Sequence, residues 1–355
     1  MIAPEELRYK ALGVMSGSSL DGVDLALCTF TLKDDRWSFS IDDGCTVPYT
    51  AAFQERLQAT MAGSALELTR LDRDLGDVIG NACKEFLRGR PVDVIGSHGH
   101  TIYHKPDEGL TLQIGHGARI ATITGRPVIF DFRTKDVALG GQGAPLVPLG
   151  EKLLFPEHRL FLNIGGICNI AQHHGDQVLG YDVCIGNQAL NLLAGLEGLA
   201  FDRGGNLARA GNVDRALLDR LNALPFHHRP PPRSLGREWF QEAVVPLITA
   251  PGISVQDRIR TVVEHIAFTL AEAIGMGTEK VLTTGGGAHN TFLMERLDTL
   301  IDGRLKVPER MVVDFKEAMI FAFLGVRSLR GESTALASVT GATRDSSGGH
   351  LVNAN

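Results

Sequence analysis

The chain has 355 residues, 44% apolar and 21% charged, enough to bury a sizeable core in two ordinary domains or one large two-lobed one. Its formal net charge of −6, with acids and bases interspersed, argues against nucleic acid or an anionic membrane as the main partner. The cysteines, Cys28, Cys45, Cys83, Cys168 and Cys184, are far apart and form no CxxC pair, so they read as buried free thiols in a reducing compartment.

The N-terminus, Met1-Ile2-Ala3-Pro4-Glu5-Glu6, has no charged-then-apolar leader, and no apolar run reaches bilayer length. A cytoplasmic protein is expected. A strand over Ala11–Met15 runs into the turn Ser16-Gly17-Ser18-Ser19-Leu20-Asp21-Gly22, and a second strand, Val23–Thr31, leaves it. A tight hairpin alone would account for the glycines. The clustering of Ser16, Ser18, Ser19, Asp21 and Asp24 at one tip favours a phosphate cradle, because such a turn offers backbone N–H groups and hydroxyls together.

A third strand, Trp37–Asp42, follows an Asp34-Asp35 turn. Leu68, Leu71, Leu75, Val78, Ile79, Ala82 and Phe86 then recur at helical spacing. The strand Val92–Ser97 ends in His98-Gly99-His100-Thr101. No companion Cys or His stands at metal spacing, so hydrogen bonding to a polyol, or a structural role, is the better reading for these imidazoles. Asp131-Phe132-Arg133 ends another apolar strand; it is either a solvated ion pair or a grip for a carboxylate or phosphate. Gly140–Pro148 is nearly free of charge and reads as a loop held against something.

The same plan then repeats. Strands over Leu160–Ile164, Ile167–Gln172 and Val178–Asp182 enclose a Gly165-Gly166 turn. The matching helix carries Ile259, Val262, Val263, Ile266, Ala267, Leu270 and Ile274, and the strand Lys280–Thr284 ends in Gly285-Gly286-Gly287-Ala288. Two equivalent Gly turns suit a polyphosphate, and the third, at a strand-to-helix turn, suits the nucleoside. Asp182 follows a strand and precedes a helix (Gln188–Leu196); a helix cap and a catalytic base both remain open for it. His227–Arg233, with its proline run, is a loop. The fold class is therefore α/β, two-lobed and duplicated.

Met15–Asp24, Asp131–Arg133, Gly140–Pro148, Asn163–Ile170, Thr284–Asn290 and Ser338–Ala342 together resemble the signature of the anhydro-N-acetylmuramic acid kinase family, in order along nearly the whole chain. The resemblance implies the ribonuclease-H-like fold of the actin and hexokinase ATPases, with a central cleft. It implies lobes of about 1–125, with 330–355 packing back on it, and 126–329. It also implies ATP and Mg²⁺, an amino sugar as the other substrate, and a homodimer. The reaction opens the 1,6-anhydro ring of anhydro-N-acetylmuramic acid with water and phosphorylates O6, in cell-wall recycling. Carried over by position, Gly17, Ser18, Ser19, Leu20, Asp21, Gly22, Val23 and Asp24 resemble the ATP-phosphate loop. Gly165, Gly166, Gly285, Gly286 and Gly287 complete the nucleotide side. Asp182 matches the catalytic base that deprotonates the water attacking C1. His98, Arg133 and Glu317 match sugar-side positions.

Some positions depart from the family pattern. Val183-Cys184-Ile185-Gly186-Asn187 stands where the family usually reads Thr-Gly-Pro-Gly-Asn, and His100 where Gln is usual. Ala335 and Asn191 replace an Asn and an Asp. These departures keep two alternatives in view: a kinase for a different anhydro or amino sugar, and an ATP-binding regulator without turnover.

Overall fold

The computed structural model describes residues 6–354 apart from 18, 19, 61, 62, 176 and 232. The chain divides into two compact units, residues 1–156 with 315–355, and residues 157–314. Residues 126–156 and 315–329, which the expected lobe boundaries put in the second lobe, pack with the first unit.

In the first unit β1 (Leu7–Met15), β2 (Gly22–Lys33) and β3 (Arg36–Pro48) form an antiparallel meander. β2 is buried along most of its length, as a strand covered on both faces must be, whereas β3 alternates between half-buried and exposed residues at the sheet edge. The helix Ala65–Leu87 begins at a capping box of Ser64 and Glu67. It lays Leu71, Leu75, Ile79 and Cys83 against Leu12, Val14, Leu25 and Leu27 of the sheet. The chain then enters β4 (Val94–Ser97), parallel to β1. A hairpin of β5 (His100–Lys105) and β6 (Leu110–Ile114) precedes β7 (Val128–Phe130), which lies parallel to β4.

The second unit repeats this order. β8 (Leu160–Ile164), β9 (Ile167–His174) and β10 (Gln177–Ile185) form the meander. The helix Val255–Ile274 starts at the N-cap Ser254 and buries Ile259, Val262, Val263, Ile266, Ala267, Leu270 and Ile274, the seven apolar positions picked out by spacing. β11 (Val281–Thr284) pairs parallel with β8, and β12 (Leu305–Lys306) with β11. Finally β13 (His350–Val352) adds antiparallel to β7. The sheets read β13-β7-β4-β1-β2-β3 and β10-β9-β8-β11-β12. Ignoring β13, both follow the order 5-4-1-2-3 with identical directions, the duplicated ribonuclease-H-like plan.

Two glycines let a helix sit close on the first sheet. Gly13 and Gly96 are register partners on β1 and β4. A Cβ on Gly13 would lie 1.7 Å from the Ala318 carbonyl oxygen, and one on Gly96 2.1 Å from that of Phe321. The part of helix Arg310–Leu329 that belongs to this unit therefore rests directly on the strands, which fixes where Glu317 stands.

Candidate active site

In the first unit the turn between β1 and β2 is shaped by backbone. Leu20 adopts φ +59 and donates its N–H to the Gly17 carbonyl at 3.3 Å. Its own carbonyl accepts from Gln54 Nε2 at 2.8 Å. Gly22 packs so tightly on β3 that a Cβ would lie 2.3 Å from the Val47 oxygen. Asp24 pairs in register with Met15 and accepts from Thr46 Oγ1. Ser18 and Ser19 lie outside the described residues. At the base of this turn Ser16, buried, accepts from Tyr49 Oη at 2.8 Å and lies 3.2 Å from His100 Nδ1. His100 thus ends a buried chain of hydroxyls. Burial lowers the His100 pKa, against the opposing bond to Ser16.

His98 and Arg133 meet in the same unit. The guanidinium donates from Nε and Nη2 to His98 Nε2 at 3.1 and 3.0 Å, and from Nη1 to the Gly143 carbonyl at 2.7 Å. Burial pulls the Arg133 pKa down to about 10, with Glu317 and Asp136 acting the other way. Burial raises the Glu317 carboxyl, opposed by Lys316 and Arg133. Asp131 does not pair with Arg133; at φ +56, its Oδ1 accepts the Thr134 N–H at 3.3 Å and its Oδ2 lies 3.7 Å from His350 Nδ1, so the ion-pair alternative for these two residues is set aside. What holds the Gly140–Pro148 loop is Asp136, fully buried. Its Oδ2 accepts the Gly143 N–H at 2.8 Å and its Oδ1 accepts from Thr340 Oγ1 at 2.8 Å.

In the second unit the glycine turns come together at the ends of β8 and β11. The Gly165 carbonyl accepts the Asn187 N–H and the Gly166 carbonyl accepts that of Gly186, both at 2.9 Å. Gly285, at φ +87, comes so near that a Cβ would lie 2.5 Å from Asn163 Oδ1. At Gly287 a Cβ would lie 2.1 Å from Ile164 Cγ2. Beyond them a 3-10 turn, Gly286–His289, leads to Asn290, which caps the helix Thr291–Leu300.

Asp182 lies inside β10 rather than after it, and the following helix, Asn187–Gly195, is capped by Gly186 without a side-chain bond. The cap reading is therefore set aside. A β-bulge falls between Asp182 and Cys184, opposite Asn169 and Cys168. The carboxylate is held by the residues just past the His227–Arg233 loop: Oδ2 accepts the Leu235 N–H at 2.8 Å and Ser234 Oγ at 3.2 Å. Burial raises the Asp182 pKa, with these two donors opposing. A carboxylate that is anchored, half-buried and raised in pKa has the properties of a general base. Val183, Cys184 and Ile185, the residues that depart from the family, are buried in the core of this unit.

Ser234, Leu235, Asp136 and Tyr49 were missed as site residues. Only Asp136 left a trace, as an acid five residues past Asp131 beside a glycine-rich loop. Among the described residues no group of three or more His, Cys, Asp or Glu could hold a metal ion, and no helix is long and apolar enough to cross a membrane.

The family model for anhydro-N-acetylmuramic acid kinase matches residues 9–354. The anhydro-N-acetylmuramic acid kinase of Vibrio parahaemolyticus is 37% identical over 367 residues, covering 97% of this chain and 98% of that protein. That of Mannheimia succiniciproducens is 36% identical over 361 residues, covering 93% and 95%. Among solved structures, component A of the (R)-2-hydroxyglutaryl-CoA dehydratase of Acidaminococcus fermentans aligns with a TM-score of 0.46 at 15% identity, over 91% of this chain and 99% of that one.

Proposed function

The chain belongs to the anhydro-N-acetylmuramic acid kinase family, and from that membership and the setting of Asp182 we propose that it phosphorylates anhydro-N-acetylmuramic acid at O6 with ATP while water opens the 1,6-anhydro ring. Atoms balance as sugar, water and ATP giving N-acetylmuramic acid 6-phosphate and ADP. Mg²⁺ enters with the nucleotide as part of the substrate and neutralises charge on the phosphates. Asp182 takes the proton from water as it attacks C1, and the released O6 then receives the γ-phosphoryl group. Gly17, Leu20, Asp21, Gly22, Val23 and Asp24, with Ser18 and Ser19, are assigned to the phosphates. Gly165, Gly166 and Gly285–Gly287 are assigned to the rest of the nucleotide. His98, Arg133 and Glu317 are assigned to the sugar, where the guanidinium supplies donors and stands with a carboxyl raised by burial. We also infer a cytoplasmic location and a homodimer, of which light scattering tests the second.

The observation that carries this reading is the anchored carboxylate of Asp182. Because Val183, Cys184 and Ile185 are core residues, their divergence alters packing beneath the base, which favours retained turnover over a regulator without it. The experiment incubates the protein with ATP, Mg²⁺ and the anhydro sugar and weighs the product. A gain of phosphate plus water is expected from the wild type, with a loss of at least about a hundredfold in Asp182→Asn. Product lacking the added water, or an active Asp182→Asn, would overturn it.

A further inference from the structure

The loop that carries Ser234 and Leu235 has an unusual problem of hydrogen bonding. Pro230 and Pro231 have no N–H, so the carbonyls nearby cannot be satisfied by a regular ladder. One side chain supplies most of the donors, beside the Arg229 N–H that also bonds the Phe226 carbonyl at 3.1 Å. Arg233 Nη1 donates to the carbonyls of Phe226, His227 and Arg229 at 3.2, 2.8 and 2.7 Å. Its Nε donates to the Asp182 carbonyl at 3.2 Å, and its own carbonyl accepts the Asp182 N–H at 2.9 Å. The guanidinium lies over the rings of Phe226 and Tyr181, 5.0 and 5.5 Å from their centroids. Arg233 is thus bonded both to the loop and to the residue that the loop holds.

We propose that Arg233 is a positioning residue for Asp182: it ties Phe226, His227 and Arg229, and with them Ser234 and Leu235, to β10 so that Leu235 N–H and Ser234 Oγ stay on Oδ2, and Oδ1 is the oxygen that accepts the proton from water. The proposal rests on Asp182 being the base. Both recorded bonds to the carboxylate end on Oδ2, which fixes the plane of the group and leaves the second oxygen for chemistry. The titratable and charged groups around it are Arg233 and His227 on the loop, Cys168 on β9, and Cys184 on its own strand. Burial, reinforced by the charge of Arg233, pulls His227 down to about 4, so it carries no charge in the neutral range. Cys168 is pushed far up by its bond to Cys184 and by burial, so it also stays neutral. The carboxyl itself is set by burial against the Leu235 N–H and Ser234 Oγ, so Arg233 acts on it through the loop that carries those two donors.

The test compares kcat against pH, and KM for ATP, in Ser234→Ala, Arg233→Ala and Arg233→Lys. Losing a donor to the carboxylate moves the acid limb of kcat to higher pH, by up to about one unit. Arg233→Ala is expected to lower kcat about tenfold at neutral pH, more at acid pH, with KM for ATP within about twofold. Arg233→Lys recovers part of that loss, since an ammonium can serve the carbonyls but not in a planar fork. If Arg233→Ala does not fold, Arg233→Lys decides, because its limb must then lie above that of the wild type, toward the limb of Ser234→Ala, which shows the shift that losing the donor itself produces. A fall in kcat that is equal at every pH, with the limb in place, would show a merely structural loop and overturn the proposal. Asp182→Asn separates the two levels: if it stays active, the base assignment fails and takes the proposal with it. If it is inactive while the limb stays fixed in the loop variants, the positioning role alone fails.

Discussion

Arg133 Nε and His98 Nε2 lie 3.1 Å apart, and Nη2 of the same guanidinium reaches the same ring nitrogen at 3.0 Å. An arginine can only donate, so Nε2 is an acceptor and the ring proton sits on Nδ1, 3.0 Å from the Gly99 carbonyl it donates to. Burial and the charge of Arg133 hold the His98 pKa well below its ordinary value, so the imidazole stays neutral. The histidine therefore acts as a rest for the arginine and not as a proton carrier.

Replacing that arginine should reveal which substrate it serves. Lysine keeps the charge but cannot reach His98 and the Gly143 carbonyl from one plane. Arg133→Lys is expected to reduce kcat/KM for the anhydro sugar by about ten- to a hundredfold and to leave KM for ATP within about twofold. Steady-state kinetics with each substrate varied in turn would decide. An effect confined to KM for ATP would move Arg133 to the nucleotide side.

The Gly140–Pro148 loop should be as strong as Asp136 allows. Its carboxylate is fully buried and accepts one hydrogen bond from Gly143 N–H and one from Thr340 Oγ1. Thr340→Val removes a donor and keeps the shape, leaving a buried charged oxygen short of a partner. A loss of about 1–3 kcal/mol is expected in urea unfolding, and Thr340→Ser should restore most of it. Equal stability of the valine and serine variants would mean that this bond contributes nothing.

Much of the fold was legible because its signals are local. Helical spacing from Leu68 to Phe86 and from Ile259 to Ile274 marks faces that do lie on their sheets, with Leu68, Val78 and Phe86 only partly buried. The two meanders and their glycine turns also follow from apolar runs broken by Gly. The candidate site was legible only where one residue type announces its own chemistry. Asp182 was visible, but its anchor was not, because Ser234 lies 52 positions away and binds through a loop geometry that no spacing encodes. Asp131 drew attention as the partner of Arg133, yet the chain turns at φ +56 there and the cation meets His98 instead. Thr340 lies 204 positions from Asp136, and their bond exists only once the C-terminal segment has folded back. Position 335 shows a smaller case of the same kind: Ala335 is buried in a bridge to Ser346.

The closeness of Gly13 and Gly96 to helix Arg310–Leu329 makes a steric prediction. At Gly96 an added methyl would meet the Phe321 carbonyl oxygen at 2.1 Å, and backbone cannot yield as a side-chain tip does. Gly96→Ala should cost several kcal/mol, on the order of 3 or more, or prevent folding. Gly195, the last residue of helix Asn187–Gly195, has nothing within 4 Å of a Cβ. Gly195→Ala should be neutral or stabilising by up to about 1 kcal/mol. Thermal unfolding of the pair gives the contrast; a well-folded Gly96→Ala at wild-type stability would show that the helix does not rest on the strand at this distance.

His265 sets a pH dependence whose sign can be worked out. It is buried, lies 2.6 Å from Asn222 Oδ1 through Nδ1, and has the ring of His227 4.9 Å away. Burial, then repulsion from His227, pulls its pKa down to about 3, from 6.5 for an ordinary histidine. Between these values the unfolded chain binds a proton that the folded chain does not. Stability is therefore full above 6.5 and is lost as pH falls through that window toward 3. Moving from about pH 7.5 to about pH 5.5 should cost on the order of 1 kcal/mol from this residue alone. His98, His100 and His227 are also lowered and act in the same direction, so the measurement is a difference. Urea unfolding of wild type and His265→Gln at both pH values should give the variant the lower stability at the higher pH but the smaller loss on acidification. The same acid slope in both proteins would mean that His265 binds its proton equally well folded and unfolded.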